Sequence, residues 1–549
     1  MRFFNTAGPV NSEKHYCLPP LSRFNLDEVL RLIGQEKYFV LHAPRQTGKT
    51  SCLLALMKHL NEQGEYQALY ANVEAGQSAR EDVRRGMRAI LVEIGERARD
   101  SIHDSFPIGR IDEALTHSGE DSALKSVLTE WAAHNSKPIV LMLDEVDALV
   151  GDTLISLLRQ IRSGYDKRPS QFPQSIILCG VRDVRDYRIH SSREVITGGS
   201  AFNIKAKSLR LGDFSHGEME QLYAQHTAET GQVFEPDAVD LIWSLSRGQP
   251  WVVNALAYEA CFEMESGRDR SQPISAELVD QAKENLILRR ETHLDQLADK
   301  LKEDRVRRVI EPLLTGDAEP DELAPDDLAY VRDLGLVRTT GQVCIANDLY
   351  KEVIPRELSW NQQVMIPQES AWYIRTDGRL DMPRLLAAFQ QFFREHSEHW
   401  LQLFEYREAG PQLLLQAFLQ RIVNGGGQIY REYGLGRKRT DLLVVWPTSL
   451  VATSPPASLI QKGDSRAQEL SPTQRIVLEL KVIGGGRWKG SVESAIREGL
   501  EQTAAYMDRC AALEGHLLIF DRSPEKTWEE KVWRREESGA EPPITVWGL

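Results

Sequence analysis

The octapeptide APRQTGKT at 43–50 most restricts what this chain can fold into. It follows the apolar run KYFVLHA (37–43) and opens an amphipathic stretch, so it reads as a turn between a buried strand and a helix. Such a turn presents backbone N–H groups and the positive end of a helix to an anion. With Gly48, Lys49, Thr50 and Ser51 closing it, the segment is expected to cradle the phosphates of a nucleotide. Lys49 would neutralise the β and γ oxygens and Thr50 would ligate Mg2+. The usual pattern begins with glycine; here Ala43 stands there, which is tolerable if its φ stays negative.

Four more apolar runs follow the loop: QALYANV (67–73), PIVLMLD (138–144), SIILCGV (175–181) and SLRLGDF (208–214). They are continuous rather than alternating, which marks strands buried on both faces, and helical patterns separate them. The expectation is an α/β fold with an open, doubly wound parallel sheet. IVLMLDEVD places Asp144 and Glu145 just past a buried strand, where Asp144 would hold Mg2+ through water and Glu145 would polarise the attacking water. From 216 to 290 the pattern is helical only, a lid over the 1–215 core with its N-terminal strap. Residues 291–358 have helices leading into two short strands around Thr339–Gly341, which fits a winged helix; 359–400 reads as a connector and 401–549 as a separate domain.

DEVDAL, the VRD that contains Arg182, and the turn Gly248-Gln249-Pro250 together resemble the AAA+/STAND group of ATPases, including the origin-recognition-like members. The resemblance covers roughly 15–355 and implies ATP and Mg2+ as cofactors. It also implies that Arg182 senses the γ-phosphate and that Pro250 packs by the adenine, although a proline at the first helical position is the plain alternative. Arg162 or Arg168 would be an arginine finger for a neighbouring copy, hence a homo-oligomer.

The carboxyl-terminal region carries a second constellation, TDLLVVW (440–446) and VLELKV (477–482). Glu479 and Lys481 are two residues apart on one strand and therefore share a face; Asp441 joins them if the two strands pair. Two carboxylates and a lysine can bind Mg2+ and activate water against a phosphodiester. The set resembles the PD-(D/E)XK nuclease core, with Thr440 where the family has proline. That resemblance implies Glu408 (or Glu405) as a further metal ligand, and Gln502 with Tyr506 as the QxxxY motif of the RecB-like branch. The interval from Asp441 to Glu479 is 38 residues (479 − 441), so the polar stretch 448–474 must be an excursion. Arg437, Lys438 and Arg439 would hold DNA at the catalytic face. The bland alternative is an amphipathic strand with a solvated Glu–Lys pair.

A net charge of −14 argues against a protein that coats nucleic acid indiscriminately. No apolar run approaches the roughly 18 residues of a membrane helix, and no signal-type apolar segment opens the chain, so a cytoplasmic protein is expected. Six scattered cysteines read as buried free thiols. The leading expectation is an ATPase that regulates or drives a Mg2+-dependent DNA nuclease, with a role in genome defence or mobile elements implied by resemblance alone. The competing classes are a non-catalytic ATP-dependent sensor and a winged-helix transcription factor, the latter disfavoured by the acidic GDAEPDELAPDD (316–327).

Overall fold

Strands rich in Val, Ile and Leu with no polar face can only be placed inside a sheet covered on both sides, and the computed structural model has this arrangement at its amino end. It describes residues 1–182, 202–289, 291–315, 323–358, 372–403, 427–435, 438–447, 473–483, 491–521, 525–537 and 543–549, plus the short strands 188–190 and 195–197 and a few single positions. The chain forms two compact units, Met1–Leu297 with Ala324–Tyr350, and Ala298–Leu323 with Lys351–Leu549.

The first unit begins with a strap in which β1 (Phe3–Phe4) pairs in parallel with β2 (His15–Tyr16). Then come α1 (Leu26–Gly34), β3 (Tyr38–His42), α2 (Lys49–Gln63) and β4 (Gln67–Asn72). Helices α3 (Val83–Ile102), α4 (Phe106–His117) and α5 (Ala123–His134) precede β5 (Ile139–Asp144). After α6 (Gly151–Ser163) and β6 (Ser175–Gly180), a small antiparallel hairpin of β7 (Arg188–His190) and β8 (Val195–Thr197) leads to β9 (Lys205–Arg210). The sheet order is β4-β5-β6-β3-β9, all parallel. Every residue of β3, β5 and β6 is buried, as their continuous apolar runs require. With parallel strands, the turns after β3, β5 and β6 open along one edge of the sheet, where ligands of such folds collect.

The run 208–214 behaves differently from the expectation: the strand is Lys205–Arg210, Leu211 N still donates to His42 O of β3 at 3.0 Å, and the chain leaves the sheet from Gly212 on. The cause is tertiary, because Phe214 N donates to Gly248 O at 2.8 Å and is drawn to the lid. The lid comprises α7 (His216–Thr230), α8 (Pro236–Ser246), α9 (Pro250–Tyr258) and α10 (Ala276–Leu288). Ser215 and Glu218 form a reciprocal cap on α7. Gly248 sits at φ +82, and a Cβ there would lie 1.9 Å from the Phe214 carbonyl oxygen, so only glycine fits this crossing. Farther along, α11 (Pro325–Asp333) leads into the antiparallel pair β10 (Val337–Arg338) and β11 (Cys344–Ile345), at the position where two short strands were read.

The second unit contains a mixed sheet in the order β12-β13-β14-β15-β17-β16. Its strands are β12 (Gln428–Leu435), β13 (Lys438–Pro447), β14 (Thr473–Ile483), β15 (Glu514–Asp521), β16 (Trp533–Glu537) and β17 (Ile544–Gly548). Helix α12 (Met382–Leu403) covers one face through Leu385, Leu386, Phe389 and Phe393, and α13 (Val492–Cys510) covers the other. Residues 359–400 were expected to be a connector, yet Tyr373–Phe393 lies inside this core. The spacing of those apolar residues is that of a helix face, which the connector reading overlooked. The stretch read as an excursion to 474 also ends slightly earlier, because Thr473 already pairs with Pro447. No helix among the described residues is long and apolar enough to cross a membrane.

Phe389 is fully buried, with ring centroids 5.3 Å from Phe418 and 5.9 Å from Phe393. Phe389→Ala is expected to destabilise the second unit by about 3–5 kcal/mol. Urea unfolding followed by tryptophan fluorescence measures this.

Candidate functional site

The phosphate loop begins with Ala43, buried and at negative φ as its place demands, and its amide donates to Gly180 O across the sheet at 3.3 Å. The turn is made by positive φ at Gln46 (56°) and Gly48 (91°), with Thr47 Oγ1 donating to Pro44 O at 2.8 Å. Lys49 is buried, and its ammonium donates to Ala43 O and Pro44 O, each at 3.0 Å. Arg23, which sequence reading missed, donates to Thr47 O at 3.3 Å and lies over the Phe214 ring at 4.5 Å. It adds a second cation beside the loop, and no local pattern marks it.

Asp144 closes β5 with no exposed surface. Its Oδ2 accepts from Thr50 Oγ1 at 2.7 Å and from the Tyr70 hydroxyl at 3.0 Å, and its Oδ1 accepts from Glu145 N at 2.9 Å. Thr50 and Asp144 therefore meet, as the sequence suggested, while Tyr70 on β4 was not foreseen. A hydroxyl and a carboxylate in contact are hard oxygen donors of the kind Mg2+ prefers. Glu145 follows in the left-handed region at φ +57, a costly conformation for a side chain with a Cβ and one that gathers at functional sites. Burial raises its carboxyl above the usual glutamate range, Lys49 opposes the rise, and Asp144 and Asp147 add to it. Burial likewise holds the neighbouring Cys179 thiol protonated. Asp147 accepts from Val181 N at 3.1 Å and so ties this turn to the end of β6.

The remaining expected residues of this unit are less uniform. Arg182 has its guanidinium 4.9 Å from the Tyr330 ring of α11. Ser51 accepts from Val10 N of the strap at 3.0 Å. Arg168 donates to Tyr165 O at 2.6 Å and to Glu36 O and stacks on Tyr165, and Arg162 is exposed at the end of α6. Pro250 opens α9 and lines a cleft together with the loop residues Gln46, Thr47 and Gly48. Across from them lie the strap, Phe214, Leu222 and Trp251. This lining, polar at the loop residues and apolar at the lid residues, is of the kind that holds a small ligand.

In the second unit β13 and β14 are antiparallel with Leu442 opposite Leu478, so continuing the register by one sets position 441 opposite Glu479. Glu479 is buried. Lys481 Nζ donates to Gln502 Oε1 at 2.6 Å and lies 3.8 Å from Glu479 and 3.7 Å from Glu498. Gln502 in turn donates to Glu498 at 3.3 Å. Glu498 was not singled out, though its four-residue spacing to Gln502 was visible. Gly499 lies close over β15, since a Cβ there would come within 2.5 Å of the Leu517 side chain. Tyr506 is buried in the core with Met507 and Leu517. Glu405, Glu408 and Arg437 lie outside the described residues, as do the side chains of Lys438, Arg439 and Asp441.

A loop–helix turn on the edge of a parallel sheet, facing a buried aspartate two strands away, defines the first unit as a P-loop nucleotide-binding fold. Residues 32–187 match the AAA domain family, and the amino-terminal region is accordingly an AAA-type P-loop ATPase domain. No curated protein matches the chain. Among solved structures, a Walker-type ATPase of Pyrococcus abyssi is similar at 13% identity and a TM-score of 0.44, over 64% of this chain and 99% of that one. Cdc6p of Pyrobaculum aerophilum gives 15% and 0.35 over 61% and 93%. The RuvB Holliday junction branch migration motor of Thermotoga maritima gives 15% and 0.31 over 60% and 95%. Likenesses this distant carry no argument about substrate or partner.

Glu145→Gln is expected to lower ATP turnover by about 10²–10⁴-fold while changing ATP affinity little. Because the carboxyl is raised and must be ionised to accept a proton, the acid limb of the wild-type rate profile falls above the pH of an ordinary glutamate. Steady-state rates across pH for both proteins test this. A second pH effect concerns stability. His293 is buried against Trp251 (4.6 Å) and bonded to the Tyr350 hydroxyl (2.6 Å), and burial pushes its pKa down to about 4. The unfolded chain protonates it near 6.5, so its contribution is complete above that pH and is lost as pH falls toward 4. Thermal melts at pH 7.5, 6 and 5 should show this loss, and His293→Phe should flatten it.

Proposed function

We propose that this protein is an ATP-controlled, Mg2+-dependent DNA nuclease in which the AAA-type domain is the control element and the carboxyl-terminal sheet cuts. What supports the second half is the antiparallel β13–β14 pairing, in which Leu442 lies opposite Leu478, one residue from positions 441 and 479, together with the bond from Lys481 to Gln502 of α13. A chance amphipathic strand has no reason to bury its glutamate, yet Glu479 is 5% exposed. In this reading Asp441 and Glu479 hold the metal, Glu408 completes its ligands, and Lys481 orients water for attack on phosphorus. Gln502 and Glu498 fix the lysine, whose pairing with carboxylates offsets the cost of its partial burial.

At the ATP end, Thr50 and Asp144 would carry Mg2+, Glu145 would accept the proton of the attacking water, and Pro250 would lie against the base. Helix α11 with β10 and β11 is read as part of a winged helix, and Arg182 as a γ-phosphate sensor that α11 holds through Tyr330. Arg162 is the finger candidate for a homo-oligomer, being on the surface where a neighbour could use it. A cytoplasmic site of action fits six cysteines with free thiols.

Incubation with plasmid and linear DNA, Mg2+, and ATP or none provides the test. Asp441→Ala, Glu479→Ala and Lys481→Ala should each reduce cleavage at least about a hundredfold. Lys49→Ala should abolish the response to ATP. Absence of cleavage by the wild type, or equal cleavage by the three site variants, would return the carboxyl-terminal domain to a non-catalytic binding role.

A further inference from the structure

The nucleotide cleft is lined by Gln46, Thr47 and Gly48 of the phosphate loop and by Leu222, Pro250 and Trp251 of the lid. A nucleotide seated with its phosphates on the loop therefore has its base among lid side chains. Most polar groups of the cleft are already engaged. Asn5 uses both ends of its amide within the strap, donating to Gly8 O at 3.0 Å and accepting from Ala7 N at 3.3 Å. Thr6 O accepts from Trp251 Nε1 at 3.1 Å, and Ser51 Oγ accepts from Val10 N.

Asn254, one turn into α9, is different. Its Nδ2 donates to Pro250 O at 2.7 Å. A carbonyl can only accept, so this bond fixes which end of the amide is which. The Oδ1 is consequently an acceptor, and it is buried without a hydrogen-bond partner among the described residues. The other such group in the cleft is the Tyr16 hydroxyl, which can donate or accept and so cannot by itself tell one base edge from another. A buried acceptor with no donor is unfavourable unless a ligand supplies one.

We propose that Asn254 is the base-reading residue of the cleft, its Oδ1 accepting from the exocyclic amine of adenine. The proposal rests on the reading of this cleft as the ATP site and goes beyond it by assigning the selectivity. Adenine presents a donor at its 6-position, whereas 6-oxo purines present an acceptor there. An oxygen facing Oδ1 would pair two acceptors away from water, so the same atom attracts adenine and repels guanine or hypoxanthine. Pro250 then has two roles, a flat apolar surface for the ring and a carbonyl that orients the reader.

The test is equilibrium binding of the full-length protein to ATP, to inosine triphosphate, and to purine riboside triphosphate, which lacks any 6-substituent. The wild type should bind ATP about tenfold or more tightly than either analogue. In Asn254→Ala and Asn254→Ser the three affinities should converge to within about twofold, through loss of ATP affinity, with Tyr16→Phe retaining the wild-type ratios. Wild-type protein that binds ATP and purine riboside triphosphate equally overturns the proposal without reference to any variant's folding. Retention of the full preference in Asn254→Ala also overturns it and moves the selectivity elsewhere. If Lys49→Ala binds ATP as well as the wild type, the reading of the cleft as the ATP site is what has failed, and the assignment of Asn254 falls with it.

Discussion

The hydrogen bond between Thr50 and Asp144 organises the catalytic edge of the first unit. A carboxylate with no exposed surface is tolerable only where donors replace its water, and Asp144 has the Thr50 hydroxyl, the Tyr70 hydroxyl and the Glu145 amide among its donors. Those partners come from α2, from β4 and from the turn after β5. Satisfying one charge therefore fixes the phosphate helix, a neighbouring strand and the backbone that carries Glu145. The left-handed φ at Glu145 is sustained by the same network, since its amide is one of the donors. Asp147, bonded to Val181 N, extends the ordering to the end of β6.

How much of this was legible follows from where the information lies. β3, β5 and β6 are buried on both faces and so are written as unbroken apolar runs, and the GKT turn is written as glycine and lysine after one of them. The strand order leaves no such mark, because main-chain pairing does not depend on side-chain identity. Nor does the strap: Phe3–Phe4 and His15–Tyr16 are too short for any period, and they are strands because Phe4 enters a nest of Tyr16, Tyr223, His226, Phe234 and Phe262. Arg23 and Tyr70 escape notice for the same reason, as their partners are distant in sequence.

The carboxyl-terminal unit shows the complementary case. Alternation correctly placed Glu479 and Lys481 on one face of β14, and the buried Val477 and Ile483 of that face pack with α13. Spacing also put Gln502 and Tyr506 on one side of the helix. What spacing cannot say is where along that side the core ends. Gln502 stays at the boundary, bonded to Lys481, and Tyr506 falls within the apolar cluster. The acidic-helix partner of this lysine is thus Glu498, one turn earlier, where α13 is still at the rim. Residues 373–393 were misjudged because polar neighbours such as Arg375, Asp377 and Arg379 give that segment a linker's composition, although its aromatic side chains seal the sheet.

The strap resolves a question that the sheet alone leaves open, namely what connects lid position to the phosphate loop. One end is fixed to α7 by Phe4 and by the Arg2–Glu229 pair at 3.0 Å, and the other reaches α2 through Val10 N and Ser51 Oγ. The ion pair is partly exposed and contributes little, so the aromatic nest is the stronger anchor. Between the anchors Thr6 receives the indole N–H of Trp251, which follows Pro250 and stacks on His293. Displacement of the lid from α2 strains these attachments, together with the two bonds between Gln225 of α7 and the Cys17 main chain. The weakest is the single amide–hydroxyl bond at Ser51, with the exposed Ala7–Pro9 beside it and few contacts to oppose opening there. Local stability along the strap is therefore graded, high at the lid and low at the loop, and entry to the cleft is easiest on the phosphate side.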